Sequence, residues 1–290
     1  MRFINPKTDF AFKKIFGDEQ NKDILISFLN AILYQGNPTV ESLEILNPYQ
    51  PPKIRGVKDT YLDIRAKLNN EQTVIIEMQV LNVEGFEKRI LYNAAKAYSI
   101  QLDTGSDYSL LNPVIALTIT DFEMFPNLDK VISNFVLKEK DFLVDYLIHD
   151  IELVFVELPK FGKKLEELET LTDKWIYFLK NAKSLELVPE NMGEVQAIQK
   201  AFAVANRADL TREELEDLEH QEIYIQDQRN ATIKAVKQAV SKAVKQAVSQ
   251  AKKEKAIDIA KGLLDVLYEA TIAQTTGLSI QEIQELKQSR

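Results

Sequence analysis

YLDIRAKLNNEQTVIIEMQV, residues 61–80, is the stretch on which the fold turns. Apolar and polar residues alternate on both sides of Asn69-Asn70, the pattern of two strands joined as a hairpin. In the first arm Leu62, Ile64, Ala66 and Leu68 share one face, and Tyr61, Asp63, Arg65 and Lys67 share the other. In the second arm Val74, Ile76, Met78 and Val80 face one way, and Ile75, Glu77 and Gln79 the other. Glutamate is disfavoured in strands, yet Glu77 sits in a run with the composition of sheet core. Burying a carboxylate costs several kcal/mol unless a cation or hydrogen-bond donors compensate. Asp63 lies across the turn, and two like charges about 4 Å apart repel by roughly 4 kcal/mol at an effective dielectric of about 20. A bound divalent metal would turn that repulsion into ligation. Ion pairing with Arg65, Lys67 or Arg89 would answer the same cost without a metal.

Loop length decides whether the two acids can meet. A two- or four-residue loop pairs Glu77 with Ile64 and sends Asp63 to the opposite face. A three-residue loop, or a bulge near Asp63, brings both carboxylates to one face. A metal site here therefore requires an irregular hairpin.

Composition bounds the chemistry. The chain has 290 residues, enough for more than one average domain and a sizeable core. With no cysteine, disulfides, thiolate catalysis and Cys-ligated zinc are excluded. MRFINPKTDF has no apolar run of signal-peptide length and no stretch approaches a membrane span, so a cytoplasmic location is expected. The net charge of −8 is unevenly spread: residues 163–227 carry 15 acids against 8 bases, and residues 234–261 carry 8 lysines against 2 acids.

Taken in order, NPKTDFAFKKIF (5–16) predicts a short amphipathic segment, with Asp9 as an accessory site carboxylate or a surface cap. Asn21 is the expected N-cap of a helix that Gly36 stops. Residues 40–46 read as a strand, and the Pro-rich PYQPPKIRG leads into the hairpin. Residues 84–102 read as a helix with Arg89, Tyr92 and Lys96 aligned on one face. PVIALTIT (113–120) has the composition of a strand covered on both faces, and residues 151–157 and 135–137 supply further strand signals. Helical patterns dominate from residue 163, one of them opened by a Thr211-x-x-Glu214 capping box. KAVKQAVS then occurs twice, at 234–241 and 242–249, setting Val236, Val240, Val244 and Val248 four residues apart. That step exceeds 3.6, so the stripe drifts round the helix; such segments serve as spacers or self-association helices. IAQTTGLSIQEIQEL is too short and too poor in basic residues for a helix-turn-helix and predicts a packing hairpin around Gly277.

The residues themselves support a metal-dependent phosphodiesterase. Asp63 and Glu77 would ligate Mg²⁺, with Mn²⁺ as a substitute, to activate water and stabilise charge on the phosphate. Gln79 would orient that water or the phosphate, and Arg89 and Lys96 would neutralise it. There is no P-loop and no G-x-G-x-x-G turn. His149 and His220 are the only histidines, and neither has a companion motif for zinc or a Ser-His system.

The αβββαβ order with Asp63 on the second strand and Asp-(x)13-Glu-x-Gln ending on the third resembles the PD-(D/E)XK nuclease superfamily. PKTDFAFKKIFG (6–17), IIEMQV (75–80), KRILYNAAKAY (88–98) and ELPKF (157–161) resemble, more narrowly, the Rpn family of recombination-promoting nucleases, also labelled transposases. The resemblance covers roughly the first 160 residues and extends to the helical tail with its short repeat. It implies a restriction-endonuclease-like α/β core with a mixed sheet over residues 1–162. A helical region (163–229) and a lysine- and alanine-rich extension with a terminal hairpin (230–290) would follow. It implies Mg²⁺-dependent DNA cleavage in recombination or mobile-element biology, with Asp63 and Glu77 matching the metal-binding acids. Gln79 stands where the wider superfamily has lysine, so the missing positive charge must come from elsewhere, Arg89 and Lys96 being candidates. The competing expectation is a weakly active or inactive DNA-binding or assembly protein on the same fold. Either way, DNA is the expected partner, with self-association through the C-terminal helices and no membrane.

Overall fold

The computed structural model describes residues 3–50, 60–103, 105–146 and 148–289; most of the Pro-rich stretch before the hairpin lies outside them. The chain opens with α1 (Asp9–Phe16) and α2 (Lys22–Leu33), then β1 (Leu43–Leu46), β2 (Tyr49–Gln50), β3 (Thr60–Tyr61), β4 (Ile64–Leu68) and β5 (Thr73–Gln79). α3 (Phe86–Ser99), β6 (Val114–Thr120), β7 (Ile132–Phe135) and β8 (Ile151–Glu157) complete the sheet region. Helices α4 (Leu171–Asn181), α5 (Glu190–Gly193), α6 (Gln196–Val204), α7 (Arg212–Leu263), α8 (Glu269–Thr276) and α9 (Ile280–Gln288) follow.

Six strands form one mixed sheet in the order β1-β4-β5-β6-β8-β7, and β2 and β3 pair separately. β1, β4 and β5 run antiparallel in succession, β6 is parallel to both β5 and β8, and β7 closes the edge antiparallel to β8. The parallel step from β5 to β6 follows from α3, which carries the chain back over one face before β6. Every residue of β6 is buried, as its near-continuous apolar run requires of a strand covered on both sides.

One sheet face bears Ile64, Ala66, Val74, Ile76, Leu117 and Val156. It packs under α1, α2, α4 and α6, where Phe16, Phe28, Trp175 and Phe178 interlock at ring distances of 4.9–5.7 Å. The other face, with Ile75, Val114 and Ala116, lies under Ala94 and Ala97 of α3. The change in composition after residue 162 is not a break in packing, because α4 and α6 complete the same core as α1 and α2. The chain divides instead into a unit of residues 1–226 and a unit of residues 227–290.

Local chemistry explains several element limits. α1 starts at Thr8, whose hydroxyl accepts the Ala11 N–H at 3.3 Å. The strand expected from residue 40 begins only at Leu43, because Asn30 holds both the N–H and the C=O of Val40 at 2.8 and 2.9 Å. The capping box at Thr211 forms in both directions and starts α7. In the second unit α8 and α9 meet at Gly277 (φ 73°) and bury Ile272 and Ile283 against Ala260 of α7, a packing hairpin.

Candidate active site

The hairpin turns through three residues: Leu68 N–H donates to Gln72 O at 2.8 Å, and Glu71 takes a left-handed φ of 67°. The register pairs Ile64 with Ile76, so Asp63 stands across from Glu77. The hairpin is irregular at its open end. Asp63 lies at a bend between β3 and β4, and Leu62 falls into the cluster under α3 while Ile64 belongs to the opposite face.

The bend separates the partners of the two acids. Asp63 turns to α1: Asp9 is within hydrogen-bonding reach, and Lys13 Nζ lies 3.8 Å from Oδ1. Its Oδ2 accepts the Met78 backbone N–H at 2.7 Å. Burial, helped by the neighbouring Asp9 carboxylate, pushes the Asp63 pKa up to about 7 against the pull of the Met78 N–H and Lys13. Glu77 turns to α3, where Arg89 Nη2 meets Oε1 at 2.5 Å and Asn93 Nδ2 approaches Oε2 at 3.4 Å. Burial raises its pKa too, and Arg89 and Asn93 oppose the rise.

Gln79 and Arg89 join Glu77. Arg89 Nη2 also donates to Gln79 Oε1 at 2.9 Å, while Gln79 Nε2 donates to Leu81 O at 2.7 Å. With both ends of its amide engaged, Gln79 holds the guanidinium in place. Lys96 goes elsewhere: two turns along α3 from Arg89, it is buried, and its Nζ donates to Gln50 O of β2 at 2.7 Å.

The model of the PD-(D/E)XK nuclease family transposases matches residues 6–235. The chain belongs to that family. Neither the curated proteins nor the solved structures provide a match.

Family membership implies a divalent metal, and the donor set can be tested for fit. Among the described residues no three His, Asp or Glu side chains gather into a metal cage. Mg²⁺ ordinarily takes one or two carboxylates and keeps several waters. Asp63, desolvated and beside a second carboxylate, carries the unfavourable charge that such a cation relieves. Asn93 leaves Oδ1 buried without a partner next to Glu77, a further hard oxygen. The chemistry of the donors fits.

ELPKF has a structural explanation. Glu157 is fully buried and accepts from Met124 N–H (2.6 Å), Phe125 N–H (3.1 Å) and Lys160 Nζ (2.5 Å), fastening the loop after β6 to the end of β8. Asp150, beside His149, accepts from the Tyr98 hydroxyl.

A cleft of about 440 Å³ adjoins the site, lined on one side by Asp9, Met78 and Gln79 and on the other by His220, Tyr224 and Ile225 of α7. Sequence spacing gives no hint of it, since its walls lie some 140 residues apart. The one available signal is that His220 and Tyr224 stand i, i+4 on an otherwise acidic helix.

Proposed function

We propose that the chain hydrolyses phosphodiester bonds of DNA with a divalent metal, Mg²⁺ or Mn²⁺, and serves recombination or mobile-element movement. What supports the reading is the meeting of Asp63 with Asp9 at the β4 bend, directly across the hairpin from Glu77 with Arg89. Asp63 and Glu77 would hold the ion, with Asp9 as an accessory carboxylate. When bound, the ion supplies positive charge to the phosphate and makes water more acidic. Arg89 supplies the second positive charge: it contacts Glu77 and Gln79 through Nη2, and a guanidinium carries five N–H donors, so it can also take a phosphate oxygen. Gln79 positions Arg89.

Incubating supercoiled plasmid with Mg²⁺ or Mn²⁺ beside wild type, Asp63→Ala and Glu77→Ala tests this. Nicking or linearisation by wild type alone is expected. Equal cleavage by all three would mean a contaminant and end the proposal.

A second reading, DNA binding or assembly without cleavage, is favoured by the pairing of Glu77 with Arg89 and by Gln79 in place of lysine. Binding without cleavage by wild type in either metal would decide for it. In both readings the exposed Val236, Val240, Val244 and Val248 of α7 serve self-association of the second unit.

A further inference from the structure

We propose that the cleft between β5 and α7 is a nucleobase subsite, which seats the base next to the phosphate handled at Asp63 and Glu77. The proposal rests on the hydrolysis reading for its orientation, but the cleft can be tested without it.

The cleft is continuous with the candidate active site, because Asp9 and Gln79 line both. A nucleotide with its phosphate at the acids therefore has its base within reach of this space. The volume of about 440 Å³ is that of a small-ligand pocket. Its walls suit a flat aromatic ring. Met78, Val80 and Ile225 are apolar, and His220 and Tyr224 place two rings one turn apart on α7. Tyr224 is 60% exposed, a phenol face held in water without a stacking partner in the aromatic clusters of the core. Stacking of bases on such faces is tolerant of sequence, as an enzyme acting on varied DNA requires.

The wall is also built before any ligand arrives. Gln221 Oε1 accepts the Phe10 N–H at 3.1 Å, and Glu214 pairs with Lys14 at 2.5 Å, tying the start of α7 to α1. The helix face carrying His220 and Tyr224 is thus held by two polar contacts to α1.

The test is saturation-transfer NMR and affinity measurement with dAMP and dTMP in buffer free of divalent metal, with 2-deoxyribose 5-phosphate as the base-free probe. For wild type the base protons should receive the strongest saturation, and the base-free probe should bind about tenfold more weakly or worse. Tyr224→Ala should weaken dAMP by about tenfold, and Tyr224→Phe should retain it. His220→Ala, an independent change on the same wall, should weaken it in the same direction. Equal binding of the base-free probe, or unchanged affinity in Tyr224→Ala with its helical signal intact, would overturn the proposal. Intact plasmid together with Tyr224-dependent dAMP binding would end the hydrolysis reading and leave the subsite standing.

Discussion

Asp63 accepts the backbone N–H of Met78, with Oδ2 at 2.7 Å. Continued regularly, the β4–β5 ladder would give that N–H to Leu62 O, since bonded pairs alternate from Leu68–Gln72 through Ile64–Ile76. The carboxylate has taken the place of that backbone carbonyl, so the chain ahead of β4 departs from the ladder and a carboxylate is buried in the interior. The folded-state pKa of about 7 lies above the ordinary 3.8, so the folded chain holds this proton more tightly than the unfolded one. The corresponding stability is fully present below about pH 4 and is lost as pH rises through 7. Asp63→Asn keeps an acceptor for Met78 and removes the charge. In urea titrations the variant should match wild type near pH 4 and exceed it at pH 8, by an amount on the order of 1–4 kcal/mol. Mg²⁺ should stabilise wild type at pH 8 and leave the variant unmoved. Parallel pH curves for the two proteins would refute the assignment.

Arg89 is the cation for both Glu77 and Gln79. Its side chain is partly exposed, at 42%, so its removal should cost about 1 kcal/mol of stability. Its effect on rate should be larger, about 10²-fold in plasmid cleavage for Arg89→Ala. Arg89→Lys should recover little, because an ammonium engaged with Glu77 and Gln79 has no planar fork left to offer a phosphate. Without Arg89 the Glu77 carboxyl rises further, so the acid limb of the pH–rate profile should move to higher pH. A rate loss with no such movement would mean that Arg89 acts on the substrate alone.

Lys96 should behave in the opposite way. Its buried ammonium satisfies Gln50 O, and Lys96→Met leaves that carbonyl without this donor. A loss of about 1–3 kcal/mol is expected, with the cleavage rate of the folded fraction within a few-fold of wild type. A rate collapse at unchanged stability would return Lys96 to the phosphate.

Glu157 tests whether ELPKF is scaffold. Removing one member of a buried, hydrogen-bonded ion pair leaves the other uncompensated, so Glu157→Ala should cost about 3–5 kcal/mol. Glu157→Gln should cost less, since its carbonyl still accepts from Met124 and Phe125. Thermal denaturation measures both. Wild-type melting of Glu157→Ala would show the loop after β6 to be held by other contacts.

These residues also mark how far the primary structure could be read. The nearly all-apolar β6 and the hairpin follow from local period, which short-range physics controls; that Asp63 turns to α1 and Glu77 to α3 depends on a bend no local pattern announces. That Trp175 and Phe178 cover the same core as Phe16 and Phe28 is a matter of which apolar faces meet, and no window of sequence contains both. Arg89 and Lys96 share a helix face, yet β5 takes one and β2 the other. The cleft at His220 was invisible for the same reason, its opposite wall being set by β5.

Residues 231–255 of α7 are exposed without exception, and seven of them are lysines. A helix with so little tertiary support opens readily, and Val236, Val240, Val244 and Val248 are about half exposed. If those valines serve self-association, amide hydrogen exchange in this segment should slow as protein concentration rises. Lysine repulsion opposes the pairing, and salt screens it, so protection should be greater at about 0.5 M than at about 0.05 M salt. Val240→Lys should abolish the concentration dependence while leaving exchange in β5 and β6 unchanged. Rapid exchange at every concentration would leave the segment as a spacer.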